Sequence, residues 1–204
     1  MFDFIRFYPR DLPELGFKGY VVLTEKPRNE GYDGYLITAN SVEELRNKLR
    51  RVPENRIVAV YSDNLSVCKE AVMRKKVDIL ADGLNRKLDY ATIMLASEKD
   101  VAIELSLLKF LITRGIRRMR LFEELKDEIR IINKFDTPFI ISSGATDFYG
   151  IRTKKQIEVF FKFFGADIKK AKYYAERIVR RYYDPNYIMD GFEIETVSHR
   201  FLKL

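Results

Sequence analysis

The chain has 204 residues, 47% of them hydrophobic, with 37 Lys plus Arg against 30 Asp plus Glu, a net charge of +7, one His and one Cys. That length and apolar content suit a single domain over residues 1–204 with a sizeable core, while one thiol and one imidazole exclude a disulfide framework and most zinc centres. No apolar run approaches the ~20 residues of a membrane span, and "MFDFIRFYPR" is not a signal segment, so a cytoplasmic protein away from membranes is expected.

In chain order, a weak first strand reads Phe2–Arg6. Short apolar runs follow at Lys18–Thr24, Gly34–Thr38, Arg56–Tyr61, Val77–Ala81, Val101–Leu105 and Phe139–Ser143. Runs such as "IVAVY" and "FIIS" are continuous rather than alternating, as in parallel strands buried on both faces. Ser41 is placed to cap a helix to Arg51, with Glu44 completing a capping box, and Ser66 to cap one to Lys76. Helices are predicted at Tyr90–Lys99, Ile116–Lys134, Thr153–Phe164 and Asp167–Tyr183, with Gly165 as a C-cap, Asp167 as the next N-cap, and Asp184-Pro185 as the final stop. In the Ile116 helix, Phe122, Leu125, Ile129 and Ile132 form an apolar stripe. Gly191–Val197 alternates like a last strand, either a barrel member or an outlying edge. Seven or eight mostly parallel strands separated by helices, without a nucleotide-binding glycine pattern, favour a small (β/α) barrel with extra C-terminal helices. An open doubly wound sheet is the competitor.

In such a barrel, function gathers where strands run into the following loops. An enzymatic reading collects Asp82, Glu104 and Asp3 around a hard cation such as Mg²⁺. The plainer reading has them binding backbone amides at strand ends, since no pair of ligands close in sequence supports a metal. His199 has no acid–base partner in sequence, Cys68 sits inside an amphipathic helix and reads as buried and inert, and Ser142-Ser143-Gly144 lacks the nucleophile-elbow pattern. "SSGATDFYG" reads as a loop at the barrel mouth, with Gly144 and Gly150 supplying unusual backbone angles.

The basic residues are concentrated. Between Arg152 and Arg181 stand ten cations and three acids, an excess equal to the net charge of the whole chain. Arg152, Lys154 and Lys155 open this stretch. In its last helix Ile168, Ala171, Ala175, Ile178, Val179 and Tyr182 make a buried stripe, and Lys169, Lys170, Lys172, Arg177, Arg180 and Arg181 lie off it beside Tyr173 and Tyr174. Glu176 is the acid that helix offers for pairing, so these cations are candidates for RNA phosphates and the tyrosines for unpaired bases. A second cluster, Arg114, Arg117, Arg118 and Arg120, is followed at once by "EELKDE", so part of its charge is expected to be paired locally. With Arg86 and Lys87 in "LNRKL" it is read as an RNA- or partner-binding surface.

The order "VDILADGLNRKLDYATIMLASEKDVAIELSLL", an Arg-rich helix start, then "IINKFDTPFIISSGATDFYGIRTKKQIEVFFKFFG" resembles the archaeal RNase P protein component 3 family, that of the thirty-kilodalton RNase P subunit. The resemblance runs from about Phe2 to Tyr183 and implies a TIM-type barrel related to metal-dependent phosphoesterases of the histidinol-phosphatase-like superfamily. It also implies a non-catalytic chain. The RNase P RNA, using Mg²⁺, removes the 5′ leader of precursor tRNA, and this subunit works with that RNA, with protein component 2 and with other RNase P subunits. The phosphoesterases carry His-x-His near the first strand, where this chain has "FDFIRF", and "LAD" stands where a His often follows the strand. The resemblance therefore implies no metal and no cofactor on the chain itself. A stand-alone carboxylate-site phosphoesterase is the alternative, and a barrel serving only as a protein scaffold is a third reading. The charged residues, 33% of the chain, and the single Gln156 suggest a thermophilic source.

Overall fold

Seven parallel strands run in simple sequential order, β1 (Phe2–Ile5), β2 (Gly19–Thr24), β3 (Tyr32–Thr38), β4 (Ile57–Tyr61), β5 (Ile79–Leu80), β6 (Ala102–Ser106) and β7 (Phe139–Ser142), in a computed structural model that describes residues 1–11, 14–189 and 192–193. The seam between first and last strand is closed. Gly144 N–H donates to the Phe4 carbonyl at 3.2 Å, and Arg6 N–H to Ala145 at 2.8 Å. A sheet that returns to its own first strand is a barrel, which decides against the open doubly wound alternative.

Helices α1 (Val42–Arg51), α2 (Leu65–Val72), α3 (Tyr90–Glu98), α4 (Leu108–Ile112), α5 (Gly115–Phe135) and α6 (Lys154–Phe163) follow strands β3 to β7. Two layers of core result. Inside the barrel Phe2, Phe4, Leu23, Ile57, Ala59, Ile79, Ala102 and Ile140 pack together. Outside it, strand residues such as Val58, Ile103 and Ile141 meet Leu45, Ile93, Leu125, Ile129 and Phe161 of the helices. Burial on both faces explains why these strands read as unbroken apolar runs.

Local details depart from expectation in three places. The cap of α2 is Asn64, whose side chain accepts from Ser66 N–H, and the helix ends at Val72 rather than Lys76. Gly144 does adopt φ 62°, but Gly150 has no positive φ. Its missing side chain makes room instead, since a Cβ there would lie 3.1 Å from that of Ala145. The described part of the Gly191–Val197 run, β9 (Phe192–Glu193), pairs antiparallel with β8 (Tyr187–Met189) in a separate two-stranded sheet, so it is not a barrel strand. His199 lies outside the described residues.

The last long helix, α7 (Ile168–Tyr183), does not join the outer ring. Its Ala175, Ile178 and Val179 belong to the interior cluster with Phe2, Phe4 and Ile140. Its polar contacts reach Asp33, Asp78, Asp100 and Asp136, each at or just before the start of a strand. The helix thus lies across the amino-terminal end of the barrel and forms its floor.

Candidate nucleic-acid interface

At the opposite, carboxy-terminal end, the three carboxylates considered for a metal are already engaged. Arg6 reaches up from β1 to form a buried ion pair with Glu104 Oε2, the same oxygen that accepts from Asp82 N–H at 2.9 Å, while Ser142 Oγ donates to Glu104 Oε1 at 2.6 Å. Asp82 faces Lys109 at 2.9 Å and Arg86 at 3.3 Å, and accepts from Ser106 N–H at 2.8 Å. Burial alone would raise the Asp82 pKa, but Lys109 and Arg86 outweigh it and hold the carboxyl below its ordinary value. Asp3 lies at the seam, taking hydrogen bonds from Phe4 N–H, Ser143 N–H and Ser143 Oγ at 2.7–2.9 Å, and burial pushes its pKa up to about 7. The chain's own guanidinium and ammonium groups thus stand where a metal reading would put a cation. Among the described residues no three acidic, His or Cys side chains are grouped to hold one. Cys68 is buried, its thiol directed at the Ser62 carbonyl, and burial raises its pKa.

The basic helix α7 is where the structure departs most from the sequence reading. The helix itself offers only Glu176, as expected, and that acid pairs with the Met1 amine and Lys18 rather than with the helix's cations. The partners come from elsewhere. Lys170 meets Asp136 at 2.5 Å, Lys172 meets Glu158 at 2.9 Å, and Arg177 meets Asp100 at 2.5 Å while covering the Tyr174 ring. Arg180 pairs with Asp184 at 3.2 Å, and Arg181 bridges Asp78 at 3.2 Å and Asp100 at 3.4 Å. Tyr182 Oη also donates to Asp78, whose pKa burial pushes up to about 6. The expectation that these cations stand unpaired is therefore corrected. Lys169 is the member of the set without an ion-pair partner among the described residues, and it is exposed.

The second cluster also reverses its expectation. Arg114 occupies the position just before α5 without a capping side-chain bond, and Arg117, Arg118 and Arg120 follow in the first turns of the helix, beyond the carboxy-terminal end of β6. The acids that follow do not neutralise them. Glu128 instead holds Arg86 at 2.6 Å and Glu124 holds Lys87 at 3.2 Å. Arg117 donates to Asn85 and Arg118 to the Thr113 carbonyl, both neutral acceptors. Arg86 is removed from the surface set. Its side chain is 1% exposed, clamped between Asp82, Glu128 and the Leu80 carbonyl. Lys87 remains exposed.

The neighbouring loop after β7 adds Arg152, Lys154 and Lys155 to this end of the barrel. Arg152 bonds to the carbonyls of Tyr149 and Ile151, Lys154 is 3.9 Å from Glu158, and Lys155 is exposed and without an ion partner among the described residues. The loop is firm. Asp147 caps the short 3₁₀ turn Phe148–Gly150, which displays the Phe148 and Tyr149 rings at 56% and 88% exposure. The sequence reading placed this loop at the mouth but overlooked those two rings. Adjacent aromatics between a capping Asp and a Gly were the available signal.

Three comparisons bear on this geometry. The sequence matches the RNase P subunit p30 family over residues 21–182. It is 58% identical over 199 residues, 98% of each chain, to ribonuclease P protein component 3 of Archaeoglobus fulgidus. It is 29% identical over 143 residues to the protein of that name from Methanocaldococcus jannaschii, covering 68% of this chain and 62% of the relative. The fold is similar to a chain in a cryo-EM structure of archaeal ribonuclease P with mature tRNA, with a TM-score of 0.79, 24% identity, and coverage of 98% of this chain and 99% of the other.

Proposed function

The chain belongs to the RNase P p30 family, and from that premise we propose that it serves the RNase P ribonucleoprotein, which removes the 5′ leader of precursor tRNA, through RNA and protein contacts rather than chemistry of its own. The observation that carries this reading is the set of arginines at the carboxy-terminal barrel face, Arg114, Arg117, Arg118 and Arg120, none of which has a carboxylate partner among the described residues. Unpaired guanidinium groups on one face suit RNA phosphates, and release of the condensed counterions supplies the affinity. Arg152, Lys154 and Lys155 extend that face, and Phe148 and Tyr149 offer stacking surfaces for unpaired bases. Lys169 is the remaining candidate on α7. Lys170, Lys172, Arg177, Arg180 and Arg181 act first as anchors of the floor.

In this reading Mg²⁺ serves the RNA, the protein partners are component 2 and the other RNase P subunits, residues 1–204 act as one domain, and the particle works in the cytoplasm. No described helix is long and apolar enough to cross a membrane. The phosphoesterase alternative loses its support because Glu104 and Asp82 are neutralised internally by Arg6, Lys109 and Arg86.

The test is precursor-tRNA cleavage by the reconstituted particle across a salt series. Changing Arg114, Arg117 and Arg120 to Ala should reduce the magnitude of the log–log salt slope by up to about one per lost phosphate contact. An unchanged slope in the folded variant would remove the proposed RNA face.

A further inference from the structure

The outer wall of the barrel carries a feature that the charged face leaves unexplained. Between α5 and α6 runs a groove of about 810 Å³ lined by Phe122, Val159, Phe160, Phe163 and Phe164, with Lys155, Thr153 and Gln156 on its margin. Its apolar lining stands open to water, with Phe163 83% exposed and Val159 60%. Leaving such side chains in water forfeits the free energy of burial, and a contiguous patch of them marks a contact surface.

We propose that this groove docks an amphipathic helix of a partner protein, with acidic residues flanking the apolar face it inserts. Charge complementarity identifies the occupant. Lys155 and Lys162 border Val159 and Phe163 on α6, and Lys126 lies across on α5. All three are exposed and without an ion-pair partner among the described residues. The acid of α6, Glu158, is held by Lys172 on another flank, and the neighbouring hollow that shares Phe164 sets Lys126 beside Glu123 and the Asp127–Arg130 ion pair. A second copy would bring like charges together, which disfavours self-association through this face. The Phe122 and Phe164 rings stack on one another at 5.4 Å between centroids and Phe160 meets Phe164 at 5.2 Å, tilted by 55°, so the exposed Phe163 ring is the surface a base could reach, whereas a helix face would cover Val159 and Phe163 together. Apolar anchors at helical spacing fit such a wall, and acidic flanks answer its lysines.

The proposal rests on the subunit reading only for its choice of partners. The test is a binding titration of the full chain against the remaining RNase P protein subunits, prepared together without RNA. Val159→Glu with Phe163→Glu should raise the dissociation constant at least tenfold while leaving the unfolding temperature within a few degrees, since both sites are exposed. Lys155→Glu with Lys162→Glu should weaken binding about threefold or more, and Arg117→Ala with Arg120→Ala should leave it unchanged. On hydrogen exchange, amides of Val159–Phe163, the part of α6 beyond the lysines assigned to the RNA face, should gain protection from the proteins and not from the RNA alone. Binding that ignores the groove substitutions, or groove protection by RNA alone, overturns the docking proposal. A wild-type chain that captures none of the subunits overturns both the proposal and the subunit reading.

Discussion

The two ends of the barrel are both rich in arginine and lysine, yet they treat the charge in opposite ways. At the floor, the cations of α7 meet Asp78, Asp100 and Asp136 at the starts of three strands, and Tyr183 holds Asp33 at a fourth. At the mouth, Arg117 and Arg118 at the start of α5 meet neutral acceptors, while the nearby Glu128 and Glu124 hold Arg86 and Lys87. Charge along a segment therefore says little about charge available to a partner. What counts is whether the fold delivers an acid to a given cation: it does so for every cation of α7 but Lys169 among the described residues, and not for Arg114, Arg117, Arg118 and Arg120. The division matches the general behaviour of such barrels, in which the amino-terminal face serves stability and the carboxy-terminal face serves function.

The contrast can be broken most forcefully from below. Ile178 is 2% exposed in the interior cluster, and Ile178→Ala should cost roughly 2–5 kcal/mol in thermal or denaturant unfolding. A negligible loss would mean that α7 is not the floor. The next effect concerns the seam. Asp3, an acid with a folded pKa raised to about 7, binds its proton more tightly in the folded than in the unfolded chain. Its contribution is present at low pH and is lost as pH rises from about 4 to about 7. Asp3→Asn keeps an oxygen for the Ser143 and Phe4 amides, and should flatten that decline by on the order of 1–3 kcal/mol. Asp78, raised to about 6, leaves a smaller decline of the same sign. Unfolding at pH 5 and pH 8 measures both.

Arg181→Ala withdraws one partner from buried Asp78, and about 1–2 kcal/mol of stability should go with it. At the other end, Arg117→Ala with Arg120→Ala should change stability by no more than about 0.5 kcal/mol. If the upper pair proves as destabilising as the lower arginine, the proposed division of labour between the two ends is wrong.

The barrel was legible because a strand buried on both faces must be apolar without interruption. Every predicted strand from Phe2 to Ser143 falls on an observed one, including two-residue β5 within Val77–Ala81. The helix termini followed from side-chain chemistry where the capping residue was unambiguous, as at Asp167 and Ser41. At α2 two residues of about equal capping strength stood close together, and the helix starts at the earlier one, Asn64, whose side chain takes the Ser66 N–H. The partners of α7 were not legible from the helix alone, because Asp78 and Asp100 stand 103 and 77 residues from the arginines they meet. A signal was nonetheless present: Asp78 and Asp100 each stand immediately before a strand or its apolar run, and Asp136 lies three residues before β7. Acids repeated at that position imply a cationic element beneath the barrel. Asp82, four residues before Arg86, was an available hint, but Glu128, 42 residues on, and the burial of the side chain between them were not legible locally.

The hydrogen bonds from Ser143 to Asp3 join residues 140 apart, and this has a consequence for how the chain is made. During synthesis, at about 5–20 residues per second, the first strand waits on the order of ten seconds for its final neighbour. Throughout that interval one edge of β1 presents unpaired amides and carbonyls beside an apolar sheet, and such edges recruit other chains. The floor arrives later still, since α7 is translated after every barrel strand. Ribosome-bound chains arrested before Phe139 should therefore be bound by chaperones and cut readily by protease, and release from both should come only once the residues of α7 have left the tunnel.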